Sequence, residues 1–300
     1  MIACRLSPNY LESTPAGSAP DLSAVELAGE STSVGFSGMQ IYQNIRYKII
    51  RGVNPKFNSL DIYTPQHAQG LPLMVYVHGG GWSMGDKASS VGSQPQAFTE
   101  HGYIYVSINY RLSPSVVHPV HVQDVAAALE WIKENINDYG GDPKRIFLMG
   151  HSAGAHLVAL VATNETYLNF YGDGLSLIKG VIGLDGGGYD IPLNMQSADA
   201  LLHNLYTQTF GEDPQTWQDA SPYYHLQVGK EIPPFLLVHA GQREISRVEA
   251  YEMQETLLSI GVRAELFHAF DKNHGSLNRD LGIPDDETTR IIFGFLESLK

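Results

Sequence analysis

Residues 145–154 read RIFLMGHSAG, and this stretch decides the fold class of the chain. The apolar run at residues 146–149 predicts a buried strand, and the apolar stretch at residues 153–163 predicts a helix. Between the two stands the pattern Gly-x-Ser-x-Gly, centred on Ser152. Small residues are needed there because a serine on a sharp strand-to-helix turn lies against neighbouring backbone. The succession of strand, turn and helix therefore predicts a nucleophilic serine, Ser152, above a sheet.

Alternating strands and helices continue on both sides of this turn. Apolar or alternating runs predict strands at residues 46–50, 58–63, 73–77, 103–108, 145–149, 178–184, 235–240 and 264–270. Apolar positions spaced by three and four predict further helices from residue 122, at residues 247–260 and at residues 288–299. The runs at 73–77 and 103–108 are almost wholly apolar, as in strands buried on both faces. The sequence therefore predicts an α/β fold, a mostly parallel sheet with helices on both faces.

The length of 300 residues and the lack of a repeat or linker predict one domain over residues 1–300. Residues 1–40, with a helix-compatible stretch at 21–28, are predicted to form an N-terminal arm, either a flexible leader or a cap over a pocket. Residues 186–227 interrupt the alternation with Gly, Pro, Tyr and Asn, and they exceed a minimal crossover. We expect this segment to be a small cap insertion.

Charge and composition exclude several classes of partner. Nineteen Lys and Arg against 32 Asp and Glu give a formal net charge of −13, which disfavours nucleic acid and anionic membrane surfaces. No apolar run is long enough for a membrane span or a signal peptide, and the single Cys4 allows no internal disulfide. We therefore expect a cytoplasmic protein. The absence of His-Glu-x-x-His and of a Cys cluster predicts no metal and no cofactor.

A second glycine motif, HGGGW at residues 78–82, follows the predicted strand at 73–77. Glycines leave backbone N–H groups unshielded, which is how esterases complete an oxyanion hole. We predict Gly80 and Gly81 as donors, together with the N–H of Ala153 at a helix N-terminus. The alternative is a phosphate-binding loop, but Gly-x-Gly-x-x-Gly and a Gly-Lys-Ser/Thr ending are absent.

Three further stretches accompany the two glycine motifs: NYRLS at 109–113, HVQD at 121–124 and GDP at 141–143. Together they resemble the hormone-sensitive-lipase and feruloyl-esterase-like branch of the α/β-hydrolase superfamily, from about residue 58 to the end of the chain. The resemblance implies an α/β-hydrolase fold and a serine esterase or amidase that needs no cofactor. Some relatives in this branch are arylformamidases that act on N-formylkynurenine.

The base and the acid are the remaining parts of the expected site. His274 follows the last predicted strand and keeps the order serine, acid, histidine, so it is the predicted base. The resemblance implies an Asp shortly after residue 240, yet residues 239–244 read HAGQRE. We prefer Glu244 as the acid, with Asp185 as the alternative; a third interpretation makes Glu244 an exposed carboxylate at a helix start.

These residues predict a carboxylesterase that cleaves small-molecule esters through an acyl-enzyme. Trp82, His151 and Tyr189 are the predicted pocket residues, although His151 also suits a framework role. Further apolar candidates are Leu201, Leu202, Tyr206, Trp217 and Tyr223. Two alternatives stay open: an arylformamidase or other amidase using the same residues, and a non-catalytic ligand-binding homologue, because the expected Asp is missing. The sequence sets neither the natural substrate nor the oligomeric state.

Overall fold

The computed structural model describes residues 38–197, 199–241 and 243–300, and within these ranges eight strands form one sheet. In chain order the strands are β1 (Met39–Arg46), β2 (Ser59–Pro65), β3 (Leu71–Val77), β4 (Ile104–Ile108), β5 (Gly141–His151), β6 (Ile178–Leu184), β7 (Phe235–Ala240) and β8 (Ala264–Ala269). Across the sheet their order is β1-β2-β4-β3-β5-β6-β7-β8. The two pairs that involve β2 are antiparallel, and the five others are parallel. The predicted mostly parallel sheet is therefore confirmed.

Helices connect the strands on both faces. The α-helices are α1 (Gln94–Glu100), α2 (Val120–Asn135), α3 (Ala153–Thr163), α4 (Thr166–Asn169), α5 (Ile191–Ser197), α6 (Ala200–Phe210), α7 (Pro214–Asp219), α8 (Glu244–Ser259), α9 (His274–Arg279) and α10 (Glu287–Glu297). Short 3-10 helices span Pro55–Asn58, Ile136–Tyr139, Leu175–Leu177 and Pro222–His225. In the ranges described, no helix is long and apolar enough to cross a membrane.

The central strand β3 shows why its sequence is continuously apolar. Successive side chains of a strand point to opposite faces. Val75 and Val77 accordingly join the core beneath α2 and α3, whereas Met74 and Tyr76 join the core beneath α1 and α10. All four side chains are fully buried. A strand covered on both faces has no position left for a polar side chain that faces water.

The first predicted strand, at residues 46–50, is wrong, because β1 ends at Arg46. Beyond that residue the chain turns. Tyr47 is buried and its hydroxyl donates to the Asn109 carbonyl at 2.8 Å, whereas Ile49 is 73% exposed. The alternation of this segment therefore reflects one anchored tyrosine rather than a strand.

Two predicted segments remain open. The predicted arm at residues 1–40, including the stretch 21–28, lies outside the described residues up to residue 37, so the single domain over 1–300 also stays a prediction. The predicted cap at residues 186–227 contains α5, α6, α7 and the 3-10 helix Pro222–His225. Its role as a cover for a substrate pocket is a prediction too.

The parallel strands end together at one edge of the sheet. The register pairs Val77 with Gly150, His151 with Leu184, and Ala240 with Ala269. Loops that follow parallel strands meet at the carboxyl edge of the sheet, where open α/β sheets bind ligands. The glycine loop, the serine turn and the loops after β6, β7 and β8 therefore lie at this edge.

Candidate active site

Ser152 stands on the turn between β5 and α3 with φ 55° and ψ −120°. A positive φ is unusual for a residue with a side chain and costs about 1–3 kcal/mol. The Ser152 N–H donates to the Leu184 carbonyl at 2.9 Å. Gly154 packs against the end of β3, since a Cβ there would lie 2.7 Å from the carbonyl oxygen of His78. Backbone contacts with two neighbouring strands therefore hold the turn, which explains the small residues around the serine.

The three glycines after β3 lie beside this turn. A Cβ on Gly79 would be 3.1 Å from the Cβ of Ser152. Gly80 and Gly81 have φ values of 113° and 56°, which favour glycine. Throughout the described ranges, the N–H groups of Gly80, Gly81 and Ala153 donate to no backbone acceptor. All three predicted donors are therefore free to bind an oxygen of a ligand.

His78 supports the glycine loop through a contact with the first of its glycines. Its Nδ1 lies 2.7 Å from the Gly79 carbonyl. Its ring stacks on Tyr110 with the centroids 4.5 Å apart, and the Tyr110 hydroxyl donates to the His78 carbonyl at 3.1 Å. Burial lowers the pKa of His78. The side chain is therefore a neutral support rather than a base.

His274 begins α9 and meets a carboxylate at its Nδ1. The Asp185 Oδ2 atom lies 2.5 Å from this nitrogen, and Asp185 itself is fully buried at the end of β6. The Asp185 Oδ1 atom accepts from the Ala240 N–H at 3.0 Å and from the Ser246 hydroxyl at 2.6 Å. The carboxylate is thus held from two further elements and orients the imidazole.

The electrostatics of Asp185 match this geometry. Burial disfavours the charged form, yet hydrogen bonds from His274, Ser246 and the Ala240 N–H, with the nearby charge of Arg243, lower the pKa of Asp185 to about 2. Asp185 is therefore ionised at neutral pH. A buried anion needs such partners, because an unpaired one is costly.

The structure corrects the preference for Glu244 as the carboxylate that meets His274. The Glu244 side chain is 74% exposed and forms an ion pair with Arg247 one turn along α8. Arg247 also lowers the pKa of Glu244. Glu244 is the first residue of α8, so the structure matches the third interpretation, an exposed carboxylate at a helix start. Asp185, the alternative, occupies the position against His274.

His151 joins the serine turn to His274. Its Nε2 lies 2.8 Å from the His274 carbonyl, and the two rings are 4.5 Å apart. Burial, together with the neighbouring His274, lowers the pKa of His151 to about 4. A neutral His151 that donates to this carbonyl links His274 to the residue that precedes Ser152. The Ser152 side chain makes no capping hydrogen bond to α3, and the residue is half-buried.

Trp82 and Tyr189, the other predicted pocket residues, pack inside the protein. Trp82 is 3% exposed and its Nε1 donates to Nδ1 of His156 at 3.1 Å. Tyr189 is 2% exposed and lies under Gly186, where an added Cβ would be 2.6 Å from the Tyr189 Cζ. Because both rings are enclosed by protein, neither is exposed on an open pocket wall.

Leu205 lies closer to the glycine loop than the predicted apolar candidates Leu201 and Leu202. A Cβ on Gly81 would be 3.0 Å from a Leu205 methyl group, whereas Leu201 is 81% exposed. The helical spacing of Leu201, Leu202 and Leu205 in α6 is the signal that identifies this residue. Leu205 therefore limits the space next to a predicted N–H donor.

Sequence reasoning missed one face of α8. Arg243, Ser246 and Glu249 are spaced by three residues and face the end of β6 and the segment after it. Glu249 is buried and accepts from the Gly188 N–H at 3.1 Å, the Asp190 N–H at 2.9 Å and the Asn194 amide at 3.0 Å. Burial raises the pKa of Glu249 to about 7 despite these hydrogen bonds. The face holds both the carboxylate of Asp185 and the segment that follows it.

Comparison with known proteins identifies the family. The BD-FAE family model matches residues 60–256. The chain is 32% identical over 254 residues to the isoprenylcysteine alpha-carbonyl methylesterase ICME of Arabidopsis thaliana, covering 78% of this chain and 57% of that protein. It is 34% identical over 197 residues to the esterase LipQ of Mycobacterium tuberculosis, covering 63% of this chain and 46% of that protein. The chain thus spans about half the length of these curated relatives.

Solved structures show the same architecture. Esterase B of Lactobacillus rhamnosis superimposes with a TM-score of 0.70 at 20% identity, covering 88% of this chain and 86% of that one. A truncated carbohydrate esterase from gut microbiota superimposes with a TM-score of 0.72 at 20% identity, covering 90% of this chain and 98% of that one. The α/β-hydrolase fold and the feruloyl-esterase-like resemblance are confirmed, and the chain belongs to the BD-FAE family.

Proposed function

We propose that this chain hydrolyses small carboxylic esters, with Ser152 as nucleophile, His274 as general base and Asp185 as the acid that orients it. The observation that carries the proposal is the 2.5 Å contact between Asp185 and Nδ1 of His274, beside the Ser152 turn. A carboxylate on one imidazole nitrogen leaves the other free to take a proton from a serine. The names of the relatives, esterase and methylesterase, support an ester as substrate.

The first half of the reaction forms an acyl-enzyme. His274 Nε2 takes the Ser152 hydroxyl proton while Oγ bonds to the ester carbonyl carbon, and the carbonyl electron pair moves to its oxygen. When the tetrahedral intermediate collapses, the carbon–alkoxide bond breaks and Nε2 returns the proton to the leaving alcohol. Water then repeats the sequence on the acyl-serine, releasing the carboxylic acid and restoring Ser152.

Backbone N–H groups stabilise the charge that develops on the carbonyl oxygen. Gly80, Gly81 and Ala153 have N–H groups without backbone acceptors. Each donor of this kind contributes about 3 kcal/mol to transition-state stabilisation. The N-terminus of α3 adds its dipole at Ala153, which also favours negative charge.

Asp185 keeps the histidine in the productive state. Its low pKa means that it stays a carboxylate, accepts a hydrogen bond from Nδ1–H and stabilises the imidazolium without taking the proton. The Ser246 hydroxyl and the Ala240 N–H hold it in one orientation. The order serine, acid, histidine is that of α/β-hydrolases.

The decisive experiment measures hydrolysis of p-nitrophenyl acetate and butyrate by the wild type and by Ser152→Ala. We expect Ser152→Ala to lower kcat by about 10⁴-fold or more, as in other serine hydrolases. Ser259→Ala, at the end of α8, is the matched control and should keep wild-type rates. A fluorophosphonate probe should label the wild type and the control but not Ser152→Ala.

Three other results would each overturn part of the proposal. If neither ester is cleaved and the probe does not react, the chain is a non-catalytic homologue. If N-formylkynurenine is turned over with a much higher kcat/KM than both esters, the activity is that of an arylformamidase. Ester turnover that survives Ser152→Ala would remove Ser152 as nucleophile.

A further inference from the structure

Arg243 lies against the proposed catalytic pair, in the loop where the family resemblance implies an Asp. Its Nη1 is 2.8 Å from His274 Nδ1 and 3.4 Å from Asp185 Oδ2. Because Nδ1 carries the hydrogen that faces Asp185, the Arg243 contact there places a cation beside the imidazole without forming a second hydrogen bond. The Arg243 side chain is 33% exposed. A guanidinium therefore stands at the edge of the site.

Only one of the three guanidinium nitrogens contacts a polar atom of another described residue. All its contacts within hydrogen-bonding distance of other described residues are made by Nη1, and none by Nε or Nη2. Arg243 is not the sole partner of the Asp185 carboxylate, because the Ser246 hydroxyl and the Ala240 N–H also bind it, at 2.6 Å and 3.0 Å. Holding the carboxylate accounts for Nη1 but leaves the Nε–Nη2 edge unexplained.

The Nε–Nη2 edge has the geometry of an anion-binding fork. Two parallel N–H groups match the two oxygens of a carboxylate, which is why arginine is favoured for bidentate recognition. The position of a Cβ on Gly187 would lie 3.9 Å from Nη2, 3.9 Å from the Tyr206 hydroxyl and 3.7 Å from Oε2 of Glu249. Because Gly187 has no side chain, the space between these three polar groups is left unfilled by this residue.

We propose that the Nε–Nη2 edge of Arg243 binds a free carboxylate of the substrate, so that the preferred esters are anionic, such as monoesters of dicarboxylic acids. This inference rests on the proposed ester hydrolysis. The chain has a net charge of −13 and repels anions at long range. A short-range, bidentate contact therefore gives the selectivity, because it acts only on a carboxylate placed a few bonds from the scissile carbonyl.

The test compares two chain-matched substrates, mono-p-nitrophenyl glutarate and p-nitrophenyl valerate. We expect the wild type to prefer the glutarate by about 10- to 100-fold in kcat/KM, the range of a charged hydrogen-bonded contact. Arg243→Gln should lower this ratio by at least about tenfold, and Arg243→Lys should keep part of it. Succinate and adipate monoesters scan the spacing between carboxylate and carbonyl.

Comparing the two esters separates recognition of the substrate carboxylate from effects of the substitution on His274. Loss of the Nη1 contact changes both esters alike, whereas loss of the fork changes only the anionic one. Arg247→Gln removes a neighbouring positive charge that pairs with Glu244, so it should leave the ratio unchanged. Equal losses on both esters in Arg243→Gln, or a wild type without preference for the glutarate, would overturn the proposal.

A binding measurement covers the cases in which turnover gives no answer. If Arg243→Gln does not fold, inhibition of wild-type butyrate hydrolysis is compared for glutarate and neutral glutaramide, and glutarate should inhibit at least about tenfold more strongly. If the wild type cleaves no ester, the proposed function fails by itself. Glutarate should then still raise the Tm of the wild type but not that of Arg243→Gln. If glutarate changes the Tm of the two proteins equally, the proposed anion site is ruled out as well.

Discussion

The two sides of the site are held together by different forces. On the elbow side, residues 78–81 and 150–154, backbone packs against backbone and glycines make the approach possible. On the acid side, residues 185–190 and 243–249, side-chain hydrogen bonds from α8 hold a carboxylate and a loop. The elbow side is therefore sensitive to volume, whereas the acid side is sensitive to charge and to hydrogen-bonding groups.

The largest effect tests the acid side. Asp185→Asn should lower kcat for p-nitrophenyl butyrate by about 10⁴-fold, because the amide favours the wrong imidazole tautomer. Glu244→Gln should stay within about threefold of the wild type, since its exposed ion pair contributes little. The kinetics of both variants are measured on the same ester. Loss of turnover in Glu244→Gln with normal turnover in Asp185→Asn would reverse the assignment made from the geometry.

A smaller but still large effect tests the elbow side. Gly154→Ala should lower the free energy of unfolding by about 3 kcal/mol, because the new methyl group meets the backbone of β3 and no rotamer can relieve the contact. Gly294→Ala is the matched control. It also replaces a helical glycine, but with open space around the new Cβ, so stability should be kept or rise by about 0.5–1 kcal/mol. Urea unfolding measures the free energy of unfolding of both variants. Equal stability of the two variants would contradict the idea that side-chain volume controls the elbow side.

The pH dependence of stability tests the charge on the acid side. The pKa of Glu249 is raised from 4.5 to about 7 by burial, so the folded chain binds this proton more tightly than the unfolded chain. The contribution of Glu249 to the free energy of unfolding therefore falls by a total of about 1–3 kcal/mol as the pH rises from about 4.5 to about 7. Above pH 7 this contribution no longer changes.

Glu249→Gln cannot ionise, so this part of the slope should disappear from its stability curve. Urea unfolding at pH 5, 6, 7 and 8 compares it with the wild type and with Glu252→Gln, an exposed position on the same helix. The difference between wild type and Glu249→Gln should shrink or change sign as the pH rises. Parallel curves for all three proteins would show that Glu249 is ionised throughout this range.

The smallest effect concerns chain length beside the glycine loop. Leu205→Ala should raise kcat/KM for p-nitrophenyl octanoate relative to acetate by about 10-fold, since it opens the space next to Gly81. Leu258→Ala, an exposed leucine on α8 that is 53% accessible, should leave the ratio as it is. An unchanged ratio in Leu205→Ala would place the acyl group elsewhere.

Local patterns were enough to predict most of the fold and the two glycine motifs of the candidate site. The strand before Ser152, the motif itself and the helix after it are contiguous, so their geometry follows from neighbouring residues. The same is true of the glycine loop after β3. The predicted strand at 46–50 failed because the burial of Tyr47 depends on Asn109, a residue far along the chain.

The sequence by itself determined the strands in their order along the chain, the serine turn, the glycine loop and the position of His274 after the last strand, because periodicity and motif act over a few residues. Only the tertiary structure decided the carboxylate. Glu244 is nearer to the expected position in sequence, yet the start of α8 turns it outward, while the parallel register of β6 and β7 brings the Ala240 N–H to Asp185. Which of two carboxylates meets a histidine depends on hydrogen bonds between strands and helices distant in sequence. The position of Arg243 at the site likewise depends on contacts with residues distant in sequence.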